Sequence, residues 1–366
     1  MNCIARAVFW IIALILSGAT YAESSFDGIT IISFEGKMGN DAIADGDHII
    51  VFVSGKGSYV SVATEFRGIR RGCISAAESG SYTGNSIRFG VPGELRQRKY
   101  KQDTLCPQFS LQFEDEQTVR VRAGDRYSRA HPVIARIPLL AVDFSAQHFM
   151  RHEIRGVRLG PVLDPADVGP ARGSPGGNQL VYKGFRRDVG EEAGRQRNVQ
   201  GRAAPAEITG WPWDVLYWAS YIRHYEQKVA GEALRDAVLD KYGPPTAESP
   251  ERDYWVWLYD LDGELVKAGS GSNACAVTAD YWLATTPGGG VSQIKPEAGM
   301  RDFGPWGCSL MMELNARGGS GGADQYSVFL TSGYALAISH FLQRIEEPPR
   351  VVKKLKSLQD FVPTLE

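Results

Sequence analysis

From Gly28 to Ile137 the chain alternates apolar and polar residues in short runs: ITIISFEG, HIIVFVSG, SYVSVATEF, NSIRFGV, FSLQFEDE and TVRVRAG. Gly, Asp and Asn turns separate them at intervals of roughly ten residues, the spacing of an antiparallel fold with short connections. A period of two puts alternate side chains on opposite faces, so each run reads as a strand with one face toward a core. The expectation for residues 23–140 is an antiparallel β-sandwich or small barrel. Of the 366 residues, 43% are hydrophobic and 22% charged, too apolar a mixture for a disordered chain. With 40 basic against 42 acidic side chains there is no global cationic field, which argues against a nucleic-acid partner.

The first 22 residues, MNCIARAVFWIIALILSGATYA, carry Arg6 as their only charge, followed by an unbroken non-polar run from Ala7 to Leu16. Small residues Thr20 and Ala22 precede Glu23, so the segment reads as a secretory signal peptide cleaved before Glu23. The expected location is periplasmic or secreted. The run is shorter than the ~20 residues a membrane span needs, and no later stretch qualifies, so no transmembrane segment is expected.

Removal of the leader takes Cys3 with it and leaves Cys73, Cys106, Cys275 and Cys308. An even count in an exported chain predicts disulfides. Of the three possible pairings, Cys73 with Cys106 and Cys275 with Cys308 keep each bridge within one block. A bridge closing a loop of this length stabilises by about 3 to 4 kcal/mol in the chain-entropy model. The CxxC or HxxxH clustering of a zinc site is missing around these cysteines, and so is the CxxC of a redox dithiol.

Residues 141–210 change character: Arg, Gly and Pro crowd GPARGSPGGNQL and GEEAGRQRNVQGRAAP, which predicts a connecting region of long loops. Two ordered islands interrupt it. EIRGVRLGPVLDPADVG reads as a strand and then a short helix begun near Asp164, and QLVYKGFRRD alternates as a strand. Residues 211–366 read as an α+β domain with a polar C-terminal tail, EEPPRVVKKLKSLQD. Within it DVLYWASYIRHYE fits helix or strand, and GEALRDAVLDKYGPP is a helix stopped by Gly243, Pro244 and Pro245. DYWVWLYDLDGELVKAG predicts a hairpin turning at Asp262 and Gly263. CSLMMELNAR and QYSVFLTS are strands, and YALAISHFLQRI is a helix.

Two resemblances attach to these residues. GCISAAES, NSIRFGVPGEL and CPQFSLQFEDEQTVRV are similar in spacing to disulfide-bearing β-domains of uncharacterised exported bacterial proteins. The order GVRLG (Gly156 to Gly160), DPADV, a helix ending in KYGPP (Lys241 to Pro245) and an aromatic strand resembles uncharacterised exported α+β proteins and, more distantly, SmpA/OmlA-like envelope proteins. That resemblance covers residues 150 to 345 and departs at GVRLGP, where the family pattern has a polar or Met residue after the second glycine. It implies a scaffold for protein contacts in the bacterial envelope and carries over no catalytic residue.

The candidate chemistry is thin. Gly318 to Gly322 satisfies G-x-S-x-G around Ser320, but a nucleophile elbow needs a helix after the serine and ADQYSVFL reads as strand. His148 and His152 share one face of a helix at i, i+4 with Glu153 following, but a third metal ligand is missing. Asp41, Asp45 and Asp47 lack calcium-loop spacing, and Asp260 resembles them. Seven of the eight tryptophans (Trp211, Trp213, Trp218, Trp255, Trp257, Trp282 and Trp306) fall in the C-terminal block, a density that reads as core in preference to a sugar platform. No catalytic set, metal or cofactor is assigned. The remaining motif is ELRQRKYKQD, where Arg96, Arg98, Lys99 and Lys101 surround Tyr100 between two cysteines. The segment reads first as a solvated loop whose charges keep an edge strand from pairing, and otherwise as a stapled loop that would meet an anionic envelope partner, a glycolipid or an acidic protein face. The sequence therefore reads as an exported, non-enzymatic binding protein of the envelope, with an exported hydrolase using Ser320 as the alternative.

Overall fold

The computed structural model describes residues 27–36, 48–54, 57–66, 69–83, 86–89, 104–105, 109–123, 126–139, 152–173, 180–192, 195–249, 253–267, 273–285, 291–294, 306–317 and 322–346. The protein is mostly β, with two large antiparallel sheets and few helices.

The first sheet holds β1 (Gly28–Ser33), β2 (His48–Ser54), β3 (Gly57–Phe66), β4 (Ile69–Thr83), β5 (Ser86–Phe89), β6 (Thr104–Leu105), β7 (Phe109–Phe113), β8 (Thr118–Ala123) and β9 (Arg126–Pro138). Its order is β3-β2-β1-β9-β8-β7-β5-β4-β6, and β3 also pairs with β4, so the sheet curls back on itself like a barrel. Two long strands turn the corners. The first part of β4 pairs with β3 and its end with β5, while β9 pairs with β8 over its first half and β1 over its second.

The strict alternation in β1 and β2 sorts their side chains into two cores. Ile32, Ile49, Val51 and Val53 point inward with Phe89, Phe109, Leu111 and Val121. Ile29, Ile31, Ile50 and Phe52 point outward and are equally buried. A continuous apolar run such as IIVFV (Ile49 to Val53) is what a strand covered on both faces requires.

The cover is the rest of the chain. The second sheet contains β10 (Gly160–Pro161), β11 (Val168–Arg172), β12 (Tyr182–Glu192), β13 (Arg195–Ala204), β14 (Val215–Val229), β15 (Ala247–Ser249), β16 (Tyr254–Tyr259), β19 (Leu310–Arg317) and β20 (Ala323–Thr331). Its order is β11-β12-β13-β14-β20-β19-β16-β15, with β10 also on β14, and β17 (Leu283–Thr285) and β18 (Val291–Ile294) form a separate ribbon. The helices are α1 (Ala206–Thr209), α2 (Gly231–Tyr242), α3 (Ala274–Trp282) and α4 (Gly333–Glu346). Leu234 and Val238 of α2 pack on one sheet face with Trp255, Trp257 and Leu310. Tyr334, Ala337, Ile338 and Phe341 of α4 pack between the second sheet and the outer face of β1, β2 and β9. Phe52 stacks on Phe341 with ring centroids 5.2 Å apart, so the two sheets share a core through this helix.

Three sequence expectations change here. Residues 141–210 read as a connection of long loops with QLVYKGFRRD as a strand; that strand is present within β12, and β11 and β13 are integral strands of the second sheet as well. Their apolar face is thin, with Phe185 and Val199 among long polar neighbours, so the alternation is diluted. The ambiguous stretch DVLYWASYIRHYE is strand from Val215 onward, within β14. The hairpin at Asp262 keeps its turn, with Gly263 at φ 81, but its second arm reduces to a single bridge of Tyr259 with Leu265. Asp260 organises that turn: its Oδ1 accepts the backbone N–H groups of Asp262 and Glu264, and its Oδ2 accepts from Asn273 Nδ2 at 2.9 Å. The predicted helix start at Asp164 is present as a 3-10 turn over Pro165–Asp167, with the Asp164 carboxylate accepting from Ala166 N–H. The first glycine of GVRLG lies in a tight turn. Ile154 and Val157 exchange two backbone hydrogen bonds of 2.9 Å around Arg155 and Gly156, both at positive φ, which is the two-residue hairpin geometry.

Candidate functional site

Arg96, Arg98, Lys99, Lys101, Cys106, His148, Ser320 and Asp41, Asp45 and Asp47 all lie outside the described residues. Cys73 sits on β4 opposite Thr104 of β6, which brings the strand segment two residues before Cys106 alongside it. Cys275 and Cys308 are at disulfide distance, Sγ to Sγ 1.91 Å, and join the first turn of α3 to the residue two before β19. No helix among the described residues is long and apolar enough to cross a membrane.

His152 is occupied. Its Nε2 lies 2.7 Å from the Tyr259 hydroxyl and its ring packs against Tyr242. Trp255, Trp257 and Trp306 are core residues, whereas Trp213 is 46% exposed. A second histidine tests for nucleophile chemistry. Nε2 of His131 is 2.8 Å from Ser128 Oγ, while its Nδ1 accepts the backbone N–H of Glu35. The proton is thereby placed on Nε2, which donates to the serine, so this imidazole is oriented against acting as the serine's base. Burial first, then the Arg129 guanidinium, holds His131 below the usual histidine range, with Glu35 opposing.

The unexplained chemistry lies on the face of the second sheet that turns toward α4. Alternation puts Phe185 and Val199 on the α2 face, so Tyr182, Gly184 and Arg186 of β12 and Gln200 and Arg202 of β13 point the other way. Register continues this face into Trp218, Ser220 and Ile222 of β14 and Ser327 and Phe329 of β20. Arg202 is exposed, and its guanidinium carbon lies 4.9 Å from the Tyr182 ring centre and 5.5 Å from that of Trp218. Trp218 in turn stacks on Phe329 at 6.2 Å. Ile222, at the open end of the row, is 44% exposed.

The rings are held at one edge by the shared core on this same face, where Tyr182 and Trp218 pack against the cluster containing Tyr334 and Phe341. Gln343 of α4 fixes the start of β12 by accepting from Val181 N–H at 2.8 Å and donating to Val181 C=O at 3.0 Å. Tyr217, beside them, has its phenol pushed up to about 12 by burial, with Arg202 opposing, and it stays a neutral hydroxyl. Further along the face the Tyr254 hydroxyl donates to Glu313 Oε1 at 2.6 Å. Burial pushes the Glu313 carboxyl up, and burial together with Glu313 pushes the Tyr254 phenol well up.

Exposed Arg and aromatic side chains fixed on a rigid sheet are the residue types that anchor interfaces, because little side-chain freedom remains to be lost on contact. Sequence reasoning missed Arg202, Tyr182 and Trp218 because the crowding of Arg with Gly and Pro in this region read as a loop-rich connection. The signal present was the alternation of QLVYKGFRRD, which separates Tyr182 and Arg186 from Phe185. In comparisons with known proteins, no family model, no curated protein and no solved structure matches the chain.

Proposed function

We propose that this is an exported interaction protein of the bacterial envelope, delivered by its N-terminal leader, that engages its partner through the open face of the second sheet. The observation that carries the reading is Arg202 held between Tyr182 and Trp218, beside Phe329 and the exposed Ile222. Charge and apolar area are presented together there on strands that cannot rearrange. The hydrophobic run over Ala7–Leu16 and the small residues before Glu23 support export, and the resemblance of GVRLG and KYGPP to SmpA/OmlA-like proteins supports an envelope setting. Two measurements test it. The protein from a periplasmic extract should begin at Glu23, and a photo-crosslinker at position 222 should yield a discrete adduct in intact cells that Arg202→Ala or Trp218→Ala diminishes. Retention of the full chain in the cytoplasm, or adducts indifferent to both substitutions, would refute the reading.

A further inference from the structure

Resting on that reading of the face, we infer that it holds a phosphoryl-group site formed by Arg186 and Arg202 across Gly184. In register, Gly184 stands opposite Arg202 and Arg186 opposite Gln200, so the two arginines are diagonal neighbours; because the Arg202 guanidinium leans toward Tyr182, Gly184 lies between it and Arg186 along β12. Diagonal Cβ atoms on adjacent strands lie about 7–8 Å apart, a span that two guanidinium side chains can close around one small anion. Gly184 does not need to be glycine for its backbone: its φ is not in the left-handed region, and a Cβ built there meets no atom within 4 Å. The missing side chain therefore leaves a notch in an otherwise continuous sheet face.

The charges around the notch favour an anion. Arg186 and Arg202 are both exposed, and neither forms an ion pair among the described residues. By contrast, Lys183 and Arg187 of the same strand are engaged by Asp214 and Asp167. Asp188, the acid two positions beyond Arg186, accepts the Gly190 N–H at 3.0 Å. Arg202 is fixed by its two rings, which leaves its N–H edge free to donate. Gln200 and Ser220 form the adjoining row and add a hydroxyl and an amide, one N–H of which already goes to Asn198 Oδ1 at 3.2 Å.

The number of donors selects the ligand class. One guanidinium fork already satisfies the two oxygens of a carboxylate, whereas two forks with an amide and a hydroxyl match the three terminal oxygens of a phosphate monoester. That group can come from a soluble phosphoester or from a lipid headgroup.

Calorimetric titration of the mature protein with glycerol 3-phosphate at low ionic strength tests the site. Vesicle flotation on phosphatidylcholine with and without phosphatidic acid tells the two sources apart. Saturable binding is expected, weakened about tenfold or more by Arg202→Ala and by Arg186→Ala, as loss of a charge-assisted hydrogen bond implies. Gly184→Val is the decisive variant. It keeps both arginines, adds a residue suited to a strand in open space, and should leave the circular dichroism and melting curve unchanged while eliminating binding. Recruitment to phosphatidic acid vesicles that Gly184→Val abolishes assigns the headgroup, and soluble binding alone assigns the small ester. If neither probe binds, or if Gly184→Val and Arg202→Ala bind as wild type does, the inference is overturned. Crosslinks from position 222 that persist and still require Arg202 would then show that the interaction surface stands without the phosphoryl site.

Discussion

Replacing Phe52 by Ala perturbs the barrel-like sheet at the point where it meets α4. Phe52 is fully buried on β2, stacks 5.2 Å from Phe341, and shares a cluster with Ile31, Ile338 and Trp306. Truncating a buried Phe costs about 3 to 5 kcal/mol, combining lost transfer free energy with the cavity left behind. The placement of the tryptophans makes the consequence readable. Apart from Trp10 every tryptophan lies between Trp211 and Trp306, so emission reports the second sheet together with the core it shares with α4, and none of these tryptophans lies on the first sheet. Denaturant unfolding followed by tryptophan emission should give one transition in the wild type. In Phe52→Ala that transition should lose about 3 to 5 kcal/mol although no tryptophan-bearing strand has been altered. An emission transition that does not move, together with faster amide exchange in β7 and β8, would refute the shared core and leave the sheets as independent units.

Other perturbations follow from the same contacts. Cys275→Ser with Cys308→Ser should lower stability by about 3 to 4 kcal/mol through release of a 33-residue loop, read from the denaturation midpoint against wild type with and without reductant. Glu313→Ala leaves the buried Tyr254 hydroxyl without its acceptor and should cost about 1 to 3 kcal/mol, whereas Glu313→Gln keeps an acceptor and should be neutral or stabilising near pH 7. The raised Glu313 carboxyl makes the native state the better proton binder above the ordinary value of 4.5, so its contribution falls as pH rises through that window, and Glu313→Gln should remove this slope. His131 has the opposite sense. Its folded-state pKa lies below 6.5, so the unfolded chain binds the extra proton and stability should fall as pH drops through 6.5. His131→Gln should flatten that dependence in a series of denaturation midpoints.

Much of the strand content was legible because short alternating runs report local geometry directly. β1, β2, β7 and β8 fall on the segments that alternation marks, and α2 ends at the Gly243 stop. What alternation cannot carry is long-range partnership. The runs read as strands with one face toward a core; that β2 is covered on both faces, and that α4, almost three hundred residues later, supplies the second cover, emerges only from the fold. β12 was legible in the alternation of QLVYKGFRRD, whereas β13 was obscured because arginines line its open face and glycine occupies a position a strand usually fills, at Gly201. The candidate site was illegible for the same reason: Arg202 becomes distinctive only when pairing sets Tyr182 and Trp218 on either side of it.

The central claim, that the open face of the second sheet is covered by a partner in the cell, is tested most directly by thiol labelling at Ile222→Cys. Ile222 is 44% exposed and Tyr127 on the barrel is 49% exposed, so cysteines at these two positions should label at similar rates in the purified protein. In intact cells the account predicts that position 222 becomes protected while position 127 does not, and that Arg202→Ala restores labelling at 222. Equal labelling of position 222 in cells and in the purified protein would contradict it.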